Sequence, residues 1–569
     1  MKSFASLALA VLAIACLPFS ESTEPAPATA PVESRCVTIL STNDVHGAIE
    51  GKTITAGNSA VRAGGLLTMS GYIEAVRQTS EHPVLLVDAG DIYQGTLVSN
   101  QSWGQAIIDI YNALGFDAAV LGNHEFDFGD GEHQNGDELG VVKSRVAGAS
   151  FPFVTSNVID KKTGKVIDWP NTHPSLIVEK GGIKIGLIGG STTSTPETTK
   201  AQNVVQLAFP DPAPIIVEEA AKLRAQGAEL VVFVAHIGSG CGSFDDPHDT
   251  SSCNLESEMF SVLDRLPPGT VDVAAGGHTH QYIAHWYKGI AAIEAGSRAR
   301  SLARVDACVA EGGGIDRQRS TIHRPIPVCA EHWTDGTCEK RSEPTAVKAA
   351  TYSGVTIFPS TAVVAAAKPH LERVAALKNK QLGVELPFSL DVGDAPLERN
   401  LGLLIAEAMA GTAESGLAIH NRGGVRAPID AGPVSFGEAF MVAPFGNLVA
   451  HMKLTPSEVE QFVHILYSRR SQIPYMYGLS AQTTDAGIEV ALTSGEPWEP
   501  GKRYVIATND FVAYGGDGFQ PVLDRAGIEN RFITDTLVRD VLITKLQERF
   551  PATSSLAKRK APKVKSARR

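Results

Sequence analysis

Between residues 37 and 274 the chain repeats one alternation: short apolar runs, broken by Gly and Asp, separated by longer amphipathic stretches. The runs 37–40, 84–87, 118–121, 153–155, 183–188, 230–234 and 271–274 are mostly continuous. That pattern predicts strands covered on both faces. The stretches 65–79, 104–114 and 214–226 have helical spacing. Together they predict an α/β layered domain with a largely interior sheet. Residues 361–381 read as a helix interrupted or started at Pro369. Beyond it, from about 383 to 549, Gly- and Pro-rich turns and strands near 434–436 and 504–507 predict a second α/β region, with the helix as connector. A length of 569 residues also exceeds what one core supports.

The two ends differ from this body. Lys2 precedes the apolar run 4–15, which is too short to span a bilayer and reads as a secretory signal. Ala13-Ile14-Ala15 before Cys16 fits both a small-x-small cleavage site and a loose lipobox. In the second case Cys16 becomes a lipid-anchored first residue. Residues 17–35, rich in Pro, Ala, Ser and Glu, form a tether. The net charge of −12 argues against nucleic acid as the main partner. Seven of the basic residues lie in 558–569, a solvated tail or an anchor for anionic surfaces. Without them, 43 basic residues face 62 acidic ones. Setting Cys16 aside leaves six cysteines, which allow fifteen pairings. Proximity favours Cys241–Cys253 and Cys329–Cys338, leaving Cys36 with Cys308.

The chemistry is carried by placement. Asp44 and His46 follow the first run in TNDVHG, and Asp91 follows the second in DAGDIYQG. Asn123 and His124 follow the third in GNHEFD; His236 lies in VAHIG, and His278 and His280 in GGHTH. All sit just beyond the C-terminal ends of expected strands, the crest where open α/β sheets bind ligands. Carboxylate, amide oxygen and imidazole together suit Zn²⁺, Mn²⁺ or Co²⁺. Seven such groups exceed the needs of one tetrahedral ion and point to two, about 3.5–4 Å apart.

These motifs, in this order, resemble the calcineurin-like metallophosphoesterase superfamily, and TNDVHG and GNHEFD resemble its 5′-nucleotidase branch. NRGGVR (421–426), PFGN (444–447) and FVAYGGDGF (511–519) are similar to that family's nucleotide-binding domain. The resemblance implies a four-layer α/β-sandwich metallophosphoesterase domain and a C-terminal α/β nucleotide-binding domain joined by a linker helix. The implied division is signal 1–15, tether 16–36, catalytic domain 37–345, linker 346–382, substrate-binding domain 383–550 and basic disordered tail 551–569.

The family implies one ion held by Asp44, His46, Asp91 and His280, and a second held by Asp91, Asn123, His236 and His278. His124 would assist the phosphoryl and leaving-group oxygens, and Asp127, at i+3 on one helical face, would orient it. Glu125 between them reads as structural. Phe445 and Phe511 match the rings that sandwich a base, Asp517 a ribose acceptor, and Asn421 and Arg426 polar contacts to sugar and phosphate. One stretch departs: where the family has Arg before Glu, this chain has Leu397-Glu398-Arg399, which puts phosphate or sugar recognition in doubt. The expected activity is hydrolysis of nucleoside 5′-monophosphates, extending to UDP-sugars. The alternatives are a 2′,3′-cyclic phosphodiesterase/3′-nucleotidase, a thiosulfohydrolase, or a surface nucleotide-binding protein without turnover. Oligomeric state is left open.

Overall fold

In the crest strands, neighbouring residues face opposite layers. Ile39 and Leu85 point one way into a core with Leu187, Val232, Val234 and Ile293, while Leu40 and Leu86 point the other way into a core of helices. This alternation builds the first half of the computed structural model, which describes residues 35–131, 136–341, 343, 345–484 and 487–552. Cys16, the expected signal and most of the tether, and the tail from 553 lie outside the described residues.

Two sheets lie face to face. In the first, Ser301–Cys308, Cys36–Thr42, Val84–Asp88, Ala118–Ala119, Phe153–Val154 and Thr172–His173 are neighbours, parallel from Cys36 onward. In the second, Ile183–Ser191, Leu230–His236, Val273–Gly276 and Ile290–Ala295 run parallel, with antiparallel strands at both edges. Helices Leu66–Thr79 and Gln105–Leu114 cover the first sheet, and Ala213–Ala225 and Glu258–Asp264 cover the second. The four-layer expectation holds, and the strands' C-terminal ends meet along one crest.

Thr361–Lys378 is one helix with Pro369 in its interior. Val363, Ala367 and Val374 join the first half's helical core, and His370 pairs with Asp109 at 2.8 Å. The connector is therefore packed onto the first half. In the second half, Tyr475–Tyr477, Leu417–His420, Tyr504–Asn509, Leu448–Leu454 and Arg531–Leu537 form, in that order, a five-stranded sheet. Leu401–Ala410 and Val538–Arg549 cover one face; Pro456–Arg470 and Gln520–Ala526 cover the other. The strand expected at 434–436 is Gly432–Ser435, because Ser435 and Glu438 form a capping box that starts a helix at Phe436. The halves touch through polar contacts, among them Asn100 Nδ2 to the Pro444 carbonyl at 2.9 Å, Arg298 Nη2 to the Arg426 carbonyl at 3.0 Å, and an Arg469–Glu197 ion pair. Among the described residues no helix is long and apolar enough to cross a membrane.

The disulfides are Cys36–Cys308, Cys241–Cys253 and Cys329–Cys338, as proximity favoured. Cys36 and Cys308 are already register partners in the first sheet, so their bond acts mainly by restraining the unfolded chain across 272 residues. Replacing this pair with alanine should cost about 2–5 kcal/mol, and replacing Cys329 and Cys338, 9 residues apart, should cost less. Thermal midpoints of the two double variants check the order; equal or inverted losses would refute it.

Candidate active site

Each loop at the crest carries its chemistry on a tightly bent backbone. Asp44, His46, Asp91, His278 and His280 all adopt positive φ, between 48° and 78°. Non-glycine residues in this region cost energy and cluster where a site over-determines them. Short backbone bonds hold the bends: Asp44 N to Gly90 O and His46 N to Asp91 O, both 2.9 Å. Glu125 ties two loops together. Its carboxylate accepts the N–H groups of Asp91, Ile92 and Gly122 at 2.7–2.8 Å, and burial with the nearby Asp91 charge pushes its pKa up to about 8.

The side chains form two groups. Asp44, His46 and His280 bring one ligand atom each together; Asp91, His236 and His278 form the second group. Each carboxylate divides its work. Asp44 Oδ2 accepts from Asn43 Nδ2 at 2.7 Å and His278 N at 2.8 Å, while Oδ1, buried and without a hydrogen bond, lies 3.2 Å from His280 Nε2. Asp91 Oδ1 accepts from His124 N at 2.8 Å, while Oδ2 faces His236 Nε2 at 3.1 Å and His46 Nε2 at 3.9 Å. Asp91 thus stands between both groups.

The imidazoles are oriented from behind. His46 Nδ1 donates to Gln94 O at 2.9 Å and His236 Nδ1 to Ala89 O at 2.8 Å, turning each Nε2 inward. His46 Nε2 then meets His280 Nε2 at 3.0 Å, and His236 Nε2 meets His278 Nδ1 at 3.2 Å, with Asn123 Oδ1 3.0 Å from both of the latter. Converging nitrogen lone pairs and an orphaned buried carboxylate oxygen fit divalent cations. Burial and the His236 charge push His278 down to about 3. Burial opposes charge on His236 too, but Asp91 and Asp44 outweigh it and lift that imidazole to about 10, so a proton there stands in for cationic charge.

His124 opens a single 3₁₀ turn, and Asp127 closes it. His124 Nδ1 bonds Asp127 Oδ2 at 2.6 Å, and buried Thr199 donates to Asp127 Oδ1 at 2.8 Å. Burial lowers the pKa of His124, but Asp127 and Asp91 outweigh it and raise it overall. A cavity of about 450 Å³ begins here and runs into the second half. Its wall includes Asp91, Asn123, His124, Asp127, His278 and His280 on one side, and Asn421, Arg426, Phe445, Phe511 and Asp517 on the other.

The first half matches the calcineurin-like phosphoesterase family over residues 37–282, and the second matches the 5′-nucleotidase C-terminal domain over 384–525. The chain belongs to the 5′-nucleotidase family of calcineurin-like phosphoesterases. It is a metal-dependent phosphoesterase. A 5′-nucleotidase of Vibrio cholerae is 25% identical over 543 residues, 89% of this chain and 90% of that one. A 5′-nucleotidase precursor structure from Thermus thermophilus superposes with a TM-score of 0.72 at 23% identity, covering 90% and 96% of the two chains. A sulfate thiohydrolase from the same organism superposes with 0.66 at 16%, covering 90% and 94%, so the fold alone does not select the substrate.

The substrate-side residues meet on one wall but do not stand as a free ring pair. Phe445 lies on His124, centroids 5.5 Å apart and planes 25° apart, with the Arg426 guanidinium 5.4 Å from its ring centroid. Phe511 packs against Gly516, where a Cβ would come within 2.5 Å of the ring. Arg426 also reaches within 3.5 Å of His46 Nε2. The departure at Leu397 has a structural counterpart. Leu397 is 74% exposed, and Arg399 sits over Phe388 at 5.1 Å, neither on the cavity wall. Lys200, Arg469 and Arg539 bring cations to that wall instead.

Sequence reasoning missed these three, along with Thr199 and Glu294. Glu294, fully buried, accepts from Ser239 N at 3.0 Å and Thr279 Oγ1 at 2.6 Å, joining the His236 loop to the His278–His280 loop. It has no local motif. The clamp at Glu125 is testable: Glu125→Gln would set an amide against backbone donors. Leaving buried N–H groups unpaired costs about 1–3 kcal/mol each. The variant should lose a few kcal/mol in urea unfolding and bind less metal by elemental analysis; full stability and metal content would remove Glu125 from this role.

Proposed function

We propose that the protein is an exported phosphohydrolase that releases phosphate from nucleoside 5′-monophosphates, working with two divalent ions. The observation that carries this is one cavity whose wall holds both the crest residues Asp91, Asn123, His278 and His280 and the two phenylalanines with Asp517. Asp44, His46, Asp91 and His280 would hold one ion, and Asp91, Asn123, His236 and His278 the other. When bound, the ions supply an activated water and neutralise charge on the phosphoryl oxygens. Zn, Mn and Co all suit this donor set.

The chain's own groups do the rest. Asp127 engages His124 Nδ1, leaving the other ring nitrogen to serve a phosphoryl or leaving-group oxygen. Arg426, beside His46, is placed to meet phosphate charge. Phe511, and Phe445 on the His124 side, offer stacking faces to a base, worth about 1–3 kcal/mol each. A base-stacking wall favours a nucleotide over a thiosulfonate. The disulfides support export, since such bonds persist in oxidising compartments.

Phosphate release from AMP should therefore require added Mn²⁺, Zn²⁺ or Co²⁺ and vanish reversibly with chelator. Asp91→Ala should abolish it. Phe511→Ala should raise KM for AMP about tenfold with little change for p-nitrophenyl phosphate, because stacking holds ground and transition states alike. Phe445→Ala should affect both substrates, because it also removes the ring packed on His124. Undiminished activity in chelator, or equal losses on both substrates for Phe511→Ala, would overturn the assignment.

A further inference from the structure

Along the wall of the cleft, through its lining residues Asn509, Asn421 and Asp517, runs a chain of hydrogen bonds whose direction is fixed at one end. Asn509 ends the strand Tyr504–Asn509 and caps the short helix Asp510–Ala513, its Oδ1 accepting the Val512 N–H at 3.0 Å. A backbone N–H can only donate, so the Asn509 amide has a single orientation, with Nδ2 turned away from the helix. Nδ2 donates to Asn421 Oδ1 at 2.8 Å and to His420 Nδ1 at 3.3 Å. Burial pushes His420 down to about 4, and because Asn509 Nδ2 can only donate, Nδ1 is the accepting nitrogen of that ring.

Asn421 is oriented in turn. With Oδ1 occupied, its Nδ2 faces Asp517 and donates to Oδ2 at 2.6 Å. Asn509 and Asn421 are 2% and 4% exposed, so the bond between them is shielded from water. Asp517 is partly exposed on the cavity wall and adopts φ 52° between Gly515–Gly516 and Gly518. A carboxylate on a bent, glycine-flanked backbone depends on its side-chain partner for its aim.

We propose that Asn509 sets the sugar selectivity of the cleft: acting through Asn421, it holds Asp517 as a fixed acceptor for the vicinal diol of a ribose. This rests on the nucleotide assignment above and adds to it a positioning residue, buried in the same wall, that acts through Asn421.

Asn509→Ser tests this, because serine keeps a capping oxygen for Val512 while removing the amide donor. KM and kcat are measured on the Mn²⁺-loaded protein with AMP and with 2′,3′-dideoxyadenosine 5′-monophosphate. The expected result is an approximately tenfold rise in KM for AMP, kcat within twofold, and no change in KM for the dideoxy substrate, so that discrimination collapses. In an Asp517→Ala background the same substitution should add nothing, the mark of a residue acting through another. Parallel rises in both KM values, unchanged discrimination, or additive effects would overturn the proposal. Should Asn509→Ser not fold, the near-isosteric Asn509→Asp, which keeps the oxygen that caps Val512 and removes the donor to Asn421, must show the same selective loss, and its failure to do so is equally decisive. Wild-type protein that turns over p-nitrophenyl phosphate but not AMP would refute the nucleotide assignment itself, whereas wild type that prefers AMP with variants that keep that preference refutes only the role of Asn509.

Discussion

The arrangement depends on the carboxylate of Asp91. One oxygen is tied to the backbone N–H of His124; the other is left facing His236 and His46, which belong to opposite ligand groups. A carboxylate so divided cannot rotate to serve one group without releasing the other. Its backbone is held as firmly, by the Glu125 clamp on three amide groups. The GNHE turn thus fixes both Asp91 and, through His124, the polar group beside it. Four of the other ligands share the left-handed backbone of Asp91, a cost of order 1–3 kcal/mol each that the two packed sheets sustain.

From that bridge outward, the molecule is organised as a cleft. The crest supplies dense, buried charge; the second half supplies Phe511, Asp517 and Arg426 on the same 450 Å³ cavity. Phe445 belongs to both sides, since it comes from the second half yet rests on His124. The contacts between halves are polar at Asn100 to Pro444 and Arg298 to Arg426, and apolar where Phe440 joins the first half's helical core with Phe436 packed against it.

The crest was legible in the sequence because ligand-binding side chains of an open α/β sheet gather where strands end, so each motif follows its own apolar run. The alternation of cores was legible for the same local reason. Long-range partners were not. Glu294 reaches Ser239 N from 55 residues away, and Thr199 reaches Asp127 from 72. Neither leaves a local pattern. The run 271–274 was misplaced by two residues: Asp272 accepts the Val231 N–H at 2.7 Å and pairs with Arg224, so the strand begins at Val273. At 434–436 a readable signal was outweighed by apolar character, for Ser435 and Glu438 already spell a helix start. The packing of Phe445 on His124 brings together residues 321 positions apart, beyond any local rule.

The central claim is that Asp91 bridges two ions. A crystal grown with Mn²⁺ and measured at the manganese edge tests it directly. The account predicts two anomalous peaks about 3.5–4 Å apart. One should lie among Asp44, His46 and His280, the other among Asn123, His236 and His278, with Asp91 between them. A single peak at saturating Mn²⁺, or peaks that leave Asp91 unligated, would contradict it.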